Sequence, residues 1–427
     1  MIVNLKCLLQ ILLVGWCFLM VPVHGKGQVN NLFLEQLTVE DGLSQGTINS
    51  ILADQNGFIW LATDNGINIY DGYTVKQLPG PNNSFIDASI LYVKQDKLGF
   101  VWINVSGGLY RYQPKTNQYQ LVLASNPDDF DHFIVDNIEG KNSQNEAGHW
   151  LATSKIISFY HTEKAELQVI LDFSKELPEK GNILQIHYHQ QILYIGTRVG
   201  MYAYDIKRNK WRKLPDLIEK PALGDFNVVE AKKAFSLHVS EQNHLYVGTS
   251  DGVFSLNVEN VKAYIQGRIP GDEYKLVFAH LSVWQFLWAD NQLYVVSDKG
   301  LHVIDTLLQQ GELLFGISDF FEKTSNNEII SIAQDNSGSF WLGSESSGVY
   351  IWDPSRELIK NYRYKKNAPN SLSDNTVWTI AEQSNVEKNN SPTIWIGTNK
   401  GFNSIDVDKN SVAQHSGELQ ADITLED

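Results

Sequence analysis

Residues 42–71 read G-L-S-Q-G-T-I-N-S-I-L-A-D-Q-N-G-F-I-W-L-A-T-D-N-G-I-N-I-Y-D. The run at 47–53 is short and apolar-rich, and it ends in the turn signal Asp54-Gln55-Asn56-Gly57. Residues 58–63 form a second run, rich in branched and aromatic side chains that suit a pleated sheet. Asp64-Asn65-Gly66 closes it, with Asn-Gly supplying the positive φ that a tight hairpin prefers. A third strand at 67–70, a turn at Asp71-Gly72 and a fourth strand at 73–78 complete the unit. Four short antiparallel strands in about 45 residues are the anatomy of one propeller blade.

The same phrase returns down the chain: an aromatic, two small or branched apolar residues, Thr or Ser, then a nearby Gly. Trp60-Leu61-Ala62-Thr63 with Gly66 is followed by Tyr194-Ile195-Gly196-Thr197 with Gly200, Tyr246-Val247-Gly248-Thr249 with Gly252, and Trp395-Ile396-Gly397-Thr398 with Gly401. Weaker copies stand at Trp102, Trp150, Tyr294 and Trp341, giving eight anchors spaced 42 to 54 residues apart. Ahead of three of them the punctuation is in register: Asp54, Gly57 and Trp60; Asp96, Gly99 and Trp102; Asp335, Gly338 and Trp341. In such a turn the carboxylate accepts backbone N–H groups and Gly takes the left-handed position. These residues therefore read as turn formers and blade anchors. The expected fold is all-β, a β-propeller of seven to eight four-stranded antiparallel blades with very little helix. Residues 216–233 and 306–314 are the places expected to depart from strand, as irregular or helical excursions. The phrase at 360–364, with Ser371-Leu372-Ser373, repeats that at 33–37, with Gly42-Leu43-Ser44. The N-terminal segment is thus expected to be an outermost strand that pairs with the final blade and fastens the ring.

Of the 427 residues, 43% are apolar and 11% aromatic, enough for a large core. The net charge of −15 repels polyphosphate, which makes nucleic acid and anionic membrane surfaces poor partners. Lys6 precedes an apolar run from Cys7 to Val23, so residues 1–25 read as a secretory signal peptide and 26–427 as the repeat domain. Both cysteines, Cys7 and Cys17, fall inside that segment, leaving the mature chain without a thiol or disulfide.

Residues 42–71 resemble the two-component regulator propeller repeat almost throughout, with looser copies at 329–353 and 371–406. The resemblance implies the periplasmic sensor region of a bacterial signalling protein. Such regions usually hold two seven-bladed propellers and an immunoglobulin-like domain, then a membrane helix and a histidine kinase or diguanylate cyclase. No apolar span, kinase phosphoacceptor region or cyclase segment follows in this sequence, so the expectation is a sensor portion without its output domain. Its ligand would be a small molecule or glycan, or an envelope protein. A dimer would form through downstream domains.

The sequence carries no phosphate loop, no His-Glu-x-x-His and no Gly-x-Ser-x-Gly, and the expectation is a protein without catalysis, cofactor or metal. His187-Tyr188-His189 places two imidazoles on one strand face, without a third ligand. Residues 406–417 open like a calcium loop but carry Ser411 and Gly417 where that loop needs Gly and Glu. The Asp turns are similar to the Asp-boxes of sialidases, so a sialidase-like or lyase propeller is the rival class. Seven arginines, at 111, 198, 208, 212, 268, 356 and 363, stand outside any catalytic motif. For ligand contact, alignment on the turn Asp picks out Asn49, Gln285 and Trp378 on the innermost strands.

Overall fold

The computed structural model describes residues 34–125, 133–175, 182–214, 236–268, 275–321, 327–355, 362–365, 368, 370–383, 393–406 and 411–415. The leader-like segment with Cys7 and Cys17, the 216–233 excursion and half of the calcium-like loop lie outside these residues. The described residues hold eight four-stranded sheets, every strand pair antiparallel. The chain falls into two compact units, residues 1–353 and 354–427.

In the first unit, strand β1 (Leu34–Leu37) precedes the first blade, made of β2 (Ile48–Ala53), β3 (Ile59–Thr63), β4 (Gly66–Tyr70) and β5 (Val75–Leu78). The following blades are β6–β9 within 90–124, β10–β13 within 134–172, β14–β17 within 183–213, β18–β21 within 236–279 and β22–β25 within 283–316. The seventh blade joins β26 (Ile329–Gln334), β27 (Phe340–Ser344) and β28 (Val349–Trp352) to β1, in the register Leu34 to Trp352 and Leu37 to Val349. The N-terminal strand thus completes the seventh blade, not the eighth. Gly348 N–H donates to the Gly46 carbonyl (2.8 Å), and the Ser331 hydroxyl donates to the Ile48 carbonyl (2.7 Å). The seventh blade therefore abuts the first, and the ring closes at seven. The second unit is a single sheet, β29–β32, within 377–415.

The anchors pack between neighbouring blades. Trp60 meets Tyr112 edge-on at 6.0 Å, Trp150 meets Tyr204 at 6.1 Å, and Tyr294 meets Phe340 at 4.6 Å. Trp341 closes the circle against Tyr70 at 5.6 Å. The Asp turns repeat atom for atom. Asp54 accepts from Asn56 N–H, Phe58 N–H and Trp60 Nε1 (2.8, 3.0 and 3.0 Å). Asp96 does the same for Leu98, Phe100 and Trp102, and Asp335 for Ser337, Ser339 and Trp341. The Thr of the phrase caps the next hairpin, Thr63 Oγ1 donating to the Gly66 carbonyl and Thr197 Oγ1 to that of Gly200. Gly252 shows why that Gly recurs: its φ is +141°, and a Cβ there would lie 2.0 Å from the Phe278 carbonyl oxygen.

One local expectation needs correction. Residues 306–314 are a turn capped by Asp305, which accepts from Leu307 and Leu308 N–H, followed by the outermost strand β25 (Gln310–Gly316). The exposed Leu307-Leu308 pair belongs to that turn, not to a helix. The helix lies elsewhere: α1 (Val258–Ile265) is capped by Asn257 and buries Val258, Val261 and Ile265. Its stripe is only eight residues long, too short for a periodic signal. A four-residue helix, α2 (Ile317–Phe320), follows β25.

Candidate functional site

The first strand of each blade hydrogen-bonds to that of the next, which makes these strands the innermost ones. Most bear a bulge near the start, with pairing shifted between Ile48 and Ser50, Ile134 and Asp136, Ile183 and Gln185, Val283 and Gln285, and Ile329 and Ser331. The residue after the bulge reaches across the seam. Ser50 Oγ accepts from Val93 N–H (3.3 Å), and Asp136 Oδ2 accepts from Ile186 N–H (3.0 Å). Gln185 Oε1 accepts from Leu237 N–H (2.8 Å), and Ser236 Oγ from Phe286 N–H (2.9 Å). Gln285 clamps Ile332, accepting from its N–H (3.0 Å) and donating to its carbonyl (3.2 Å). Ser331 returns to Ile48. Blade two differs: Tyr92 holds this position with its hydroxyl buried and unpartnered, and Lys94 bridges instead, to the Asp136 carboxylate and the Asn137 carbonyl. A polar belt thus encircles the axis, each amide held where a bulged strand leaves room for it.

Gln285 is a member of this belt. Asn49 is the bulge residue itself, donating to the Asp64 carboxylate (2.8 Å) and the Ile90 carbonyl (3.1 Å). Trp378, the bulge residue of β29 (Val377–Gln383) in the second unit, is 74% exposed and donates to Asn399. The three are not equivalent, because Asp290 belongs to a two-residue turn with Asn291 (φ +50° and +60°) and its register stands one residue away from that of Asp54.

Two residues beyond the belt, opposite the anchors, lie Leu52, Ile138, Leu287 and Ala333 in four blades and Lys94, His187 and His238 in the others. His187 and His238 sit 5.8 Å apart between ring centroids, and His238 stacks on Trp288 at 5.5 Å with planes 16° apart. Burial lowers both imidazoles, His187 to about 3 and His238 to about 4, with neighbouring His189 adding to the effect on each and Lys94 on His187. The seam between blades two and three holds a second charged group. Arg111 lies over the Phe100 ring at 3.5 Å and beside Asp96 (3.5 Å), while His149 lies tilted against Trp102, with ring centroids 4.2 Å apart. Burial of Asp96 opposes its ionisation, yet contacts from His149, Trp102 and Arg111 keep its carboxyl below the usual range. Both carboxylate oxygens of each turn Asp accept hydrogen bonds from its own turn and anchor. No group of three or more metal-binding side chains occurs among the described residues, His187 and His189 included. None of their helices is long and apolar enough to cross a membrane.

Fold and seams together define an all-β propeller. Residues 42–65 and 324–346, in the first and seventh blades, match the two component regulator propeller family, so the chain carries that repeat. The chain is similar to the extracellular domain of BT3049 of B. thetaiotaomicron, described as a hybrid two component system. The TM-score is 0.62 at 17% identity, over 90% of this chain and 49% of the other. It is also similar to the extracellular domain of BT4673 of the same organism, with a TM-score of 0.55 at 18% identity over 90% and 54%. This chain thus spans about half the length of those domains. Virginiamycin B lyase of Staphylococcus aureus gives a TM-score of 0.52 at 13% identity over 75% and 98%. These likenesses are to the fold alone. No curated protein matches the chain.

Proposed function

We propose that this chain is an extracytoplasmic ligand-sensing or interaction module of a bacterial signal-transduction protein, one that binds without catalysing. The observation that carries the reading is the regulator propeller repeat at 42–65 and 324–346, set in adjoining blades of the closed ring. The partner is a small molecule or glycan, or an envelope protein, and binding is relayed to an output domain. The arginines support a non-catalytic role. Arg111 is buried beside Asp96, Arg208 pairs with Asp205 (2.8 Å), and Arg212 donates to the Tyr264 carbonyl. A sialidase needs several arginines converging on one substrate carboxylate, and these three are occupied separately.

The test is a panel of glycans and a periplasmic extract presented to the purified chain, scored by thermal shift and by capture. In parallel the chain is assayed for sialidase and streptogramin lyase turnover. Saturable binding without turnover is expected, whereas turnover of either substrate class would overturn the reading.

A further inference from the structure

We infer that the inner strands of blades four and five bind a small oxyanion, as a carboxylate, sulfate or phosphate group, at His187 and His238, with Lys94 of blade two as the neighbouring cation. The inference gives a ligand class to the sensor proposed above and rests on that reading. Three of the seven positions opposite the anchors carry nitrogen bases, in a chain whose net charge is −15.

Each group has binding capacity left over. The Lys94 ammonium has three N–H donors, of which the Asp136 carboxylate and the Asn137 carbonyl take two, and its side chain is 42% exposed. His187 and His238 make ring contacts, but neither imidazole is hydrogen-bonded to another described residue. Both are half-buried, so their nitrogens stand at the inner seam without a protein acceptor. The groups that face them are Lys94 with its partner Asp136, His189, and beyond His189 the Lys262–Glu259 pair. Asp136 already receives the Lys94 ammonium and Ile186 N–H, so it does not serve the imidazoles.

An oxyanion supplies the hydrogen-bond acceptors that the two imidazoles lack. Burial keeps the empty imidazoles neutral, so an anion that pairs with them draws protons in as it binds. Affinity then rises as the solution is acidified, by up to about tenfold per pH unit for each imidazole that titrates. Trp288, stacked on His238, fixes that ring and gives the ligand a flat neighbour.

Calorimetric titration of the full chain with sodium sulfate, against chloride at matched ionic strength, tests this at pH 5.5 and 7.5. Sulfate serves as probe because its charge is constant over that range. Saturable heat is expected at pH 5.5, changing with the ionisation enthalpy of the buffer as proton uptake requires, and at least tenfold weaker binding at pH 7.5. Lys94→Met should weaken binding at both pH values, and His187→Gln with His238→Gln should abolish the pH dependence. Should the double variant melt below the assay temperature, the single His238→Asn change carries the same comparison. Parallel titration with citrate and inorganic phosphate separates carboxylate from sulfate and phosphate ligands. Absence of sulfate-specific heat, or equal heat and pH dependence in the histidine variants, overturns the site. Glycan or protein capture by the parent chain, without sulfate-specific heat, would leave the sensor reading standing while removing this one.

Discussion

Asp54 shows how much one side chain of the repeat does: it accepts two backbone N–H groups of its own turn and the indole N–H of Trp60, which is 3% exposed. Asp54→Ala would leave the buried indole donor unsatisfied and the turn without its brace. The expected loss is about 2–4 kcal/mol, and Asp54→Asn, which keeps one acceptor oxygen, should lose about half as much. Denaturant melts of the two variants check the ratio, and equal losses would mean the turn alone matters. Two glycines separate backbone strain from packing. Gly57 has φ +89° and open space where a Cβ would sit, so Gly57→Ala should cost about 1–2 kcal/mol of backbone strain. A Cβ on Gly343 would lie 2.2 Å from Ser331 Oγ and 2.7 Å from Ile48 Cγ2, where the seventh blade meets the first. Gly343→Ala should therefore cost more than Gly57→Ala, and the reverse order would count against this closure. The Asp, Gly and Trp positions were legible in the sequence because their roles are local. Gln185 and Gln285 were not recognisable as belt residues, since their partners are backbone groups about fifty positions away. Asn68 was missed too: it bonds Ser44 inside the first blade, as Asn403 bonds Ser373 in the eighth sheet, and with the hydroxyl contacts Ser44–Thr63 and Ser373–Thr398 that pairing explains the Ser of the Gly-Leu-Ser phrase.

At the level of elements, β1 is the one strand that joins chain ends into a blade. Removing residues 26–40 exposes the edge of β28, a row of unpaired N–H and C=O groups from Val349 to Trp352. The thermal midpoint should fall by about 5–10 °C, with cleavage near the seventh blade in limited proteolysis. The eighth sheet offers the opposite case. By register, Ile380 in β29 corresponds to Ile51 in β2, yet Ile380 is 66% exposed and Ile51 only 6%. Ile51→Ser should cost about 3 kcal/mol, while Ile380→Ser should stay within about 0.5 kcal/mol. The two changes compared by thermal melting show whether the inner strand of that sheet is packed. Its internal design is otherwise that of a blade, Gln383 taking the place of the turn Asp and accepting from Trp395 Nε1 (2.8 Å).

For the whole molecule, the repeat period and blade contents were written in the sequence, whereas the size of the ring was not. Eight phrases are visible, and closure at seven depends on Ser331 meeting Ile48 and on β1 meeting β28, contacts between distant ends that no local pattern encodes. The packing of neighbouring blades partly shields the inner imidazoles from water, and this gives the molecule a pH response. In the unfolded chain histidine titrates near 6.5; in the ring His187 is held to about 3 and His238 to about 4, chiefly by burial, and burial also lowers His189, His244 and His302. Below pH 6.5 the unfolded chain therefore binds more protons than the folded one, and stability falls as the pH drops toward 4. Asp96, held below its ordinary value, adds its own loss only below about pH 4. The melting temperature should be level from about pH 8 to 7 and decline between about 6.5 and 4.5 in sulfate-free buffer. The His187→Gln, His238→Gln variant should decline less over the same window. Relief of repulsion among the carboxylates, which would act in the opposite direction, begins only as those groups protonate near about pH 4.5, so the histidine contribution is read cleanly above that point. Parallel declines in the variant and the parent would show that these two imidazoles are not held neutral by the ring.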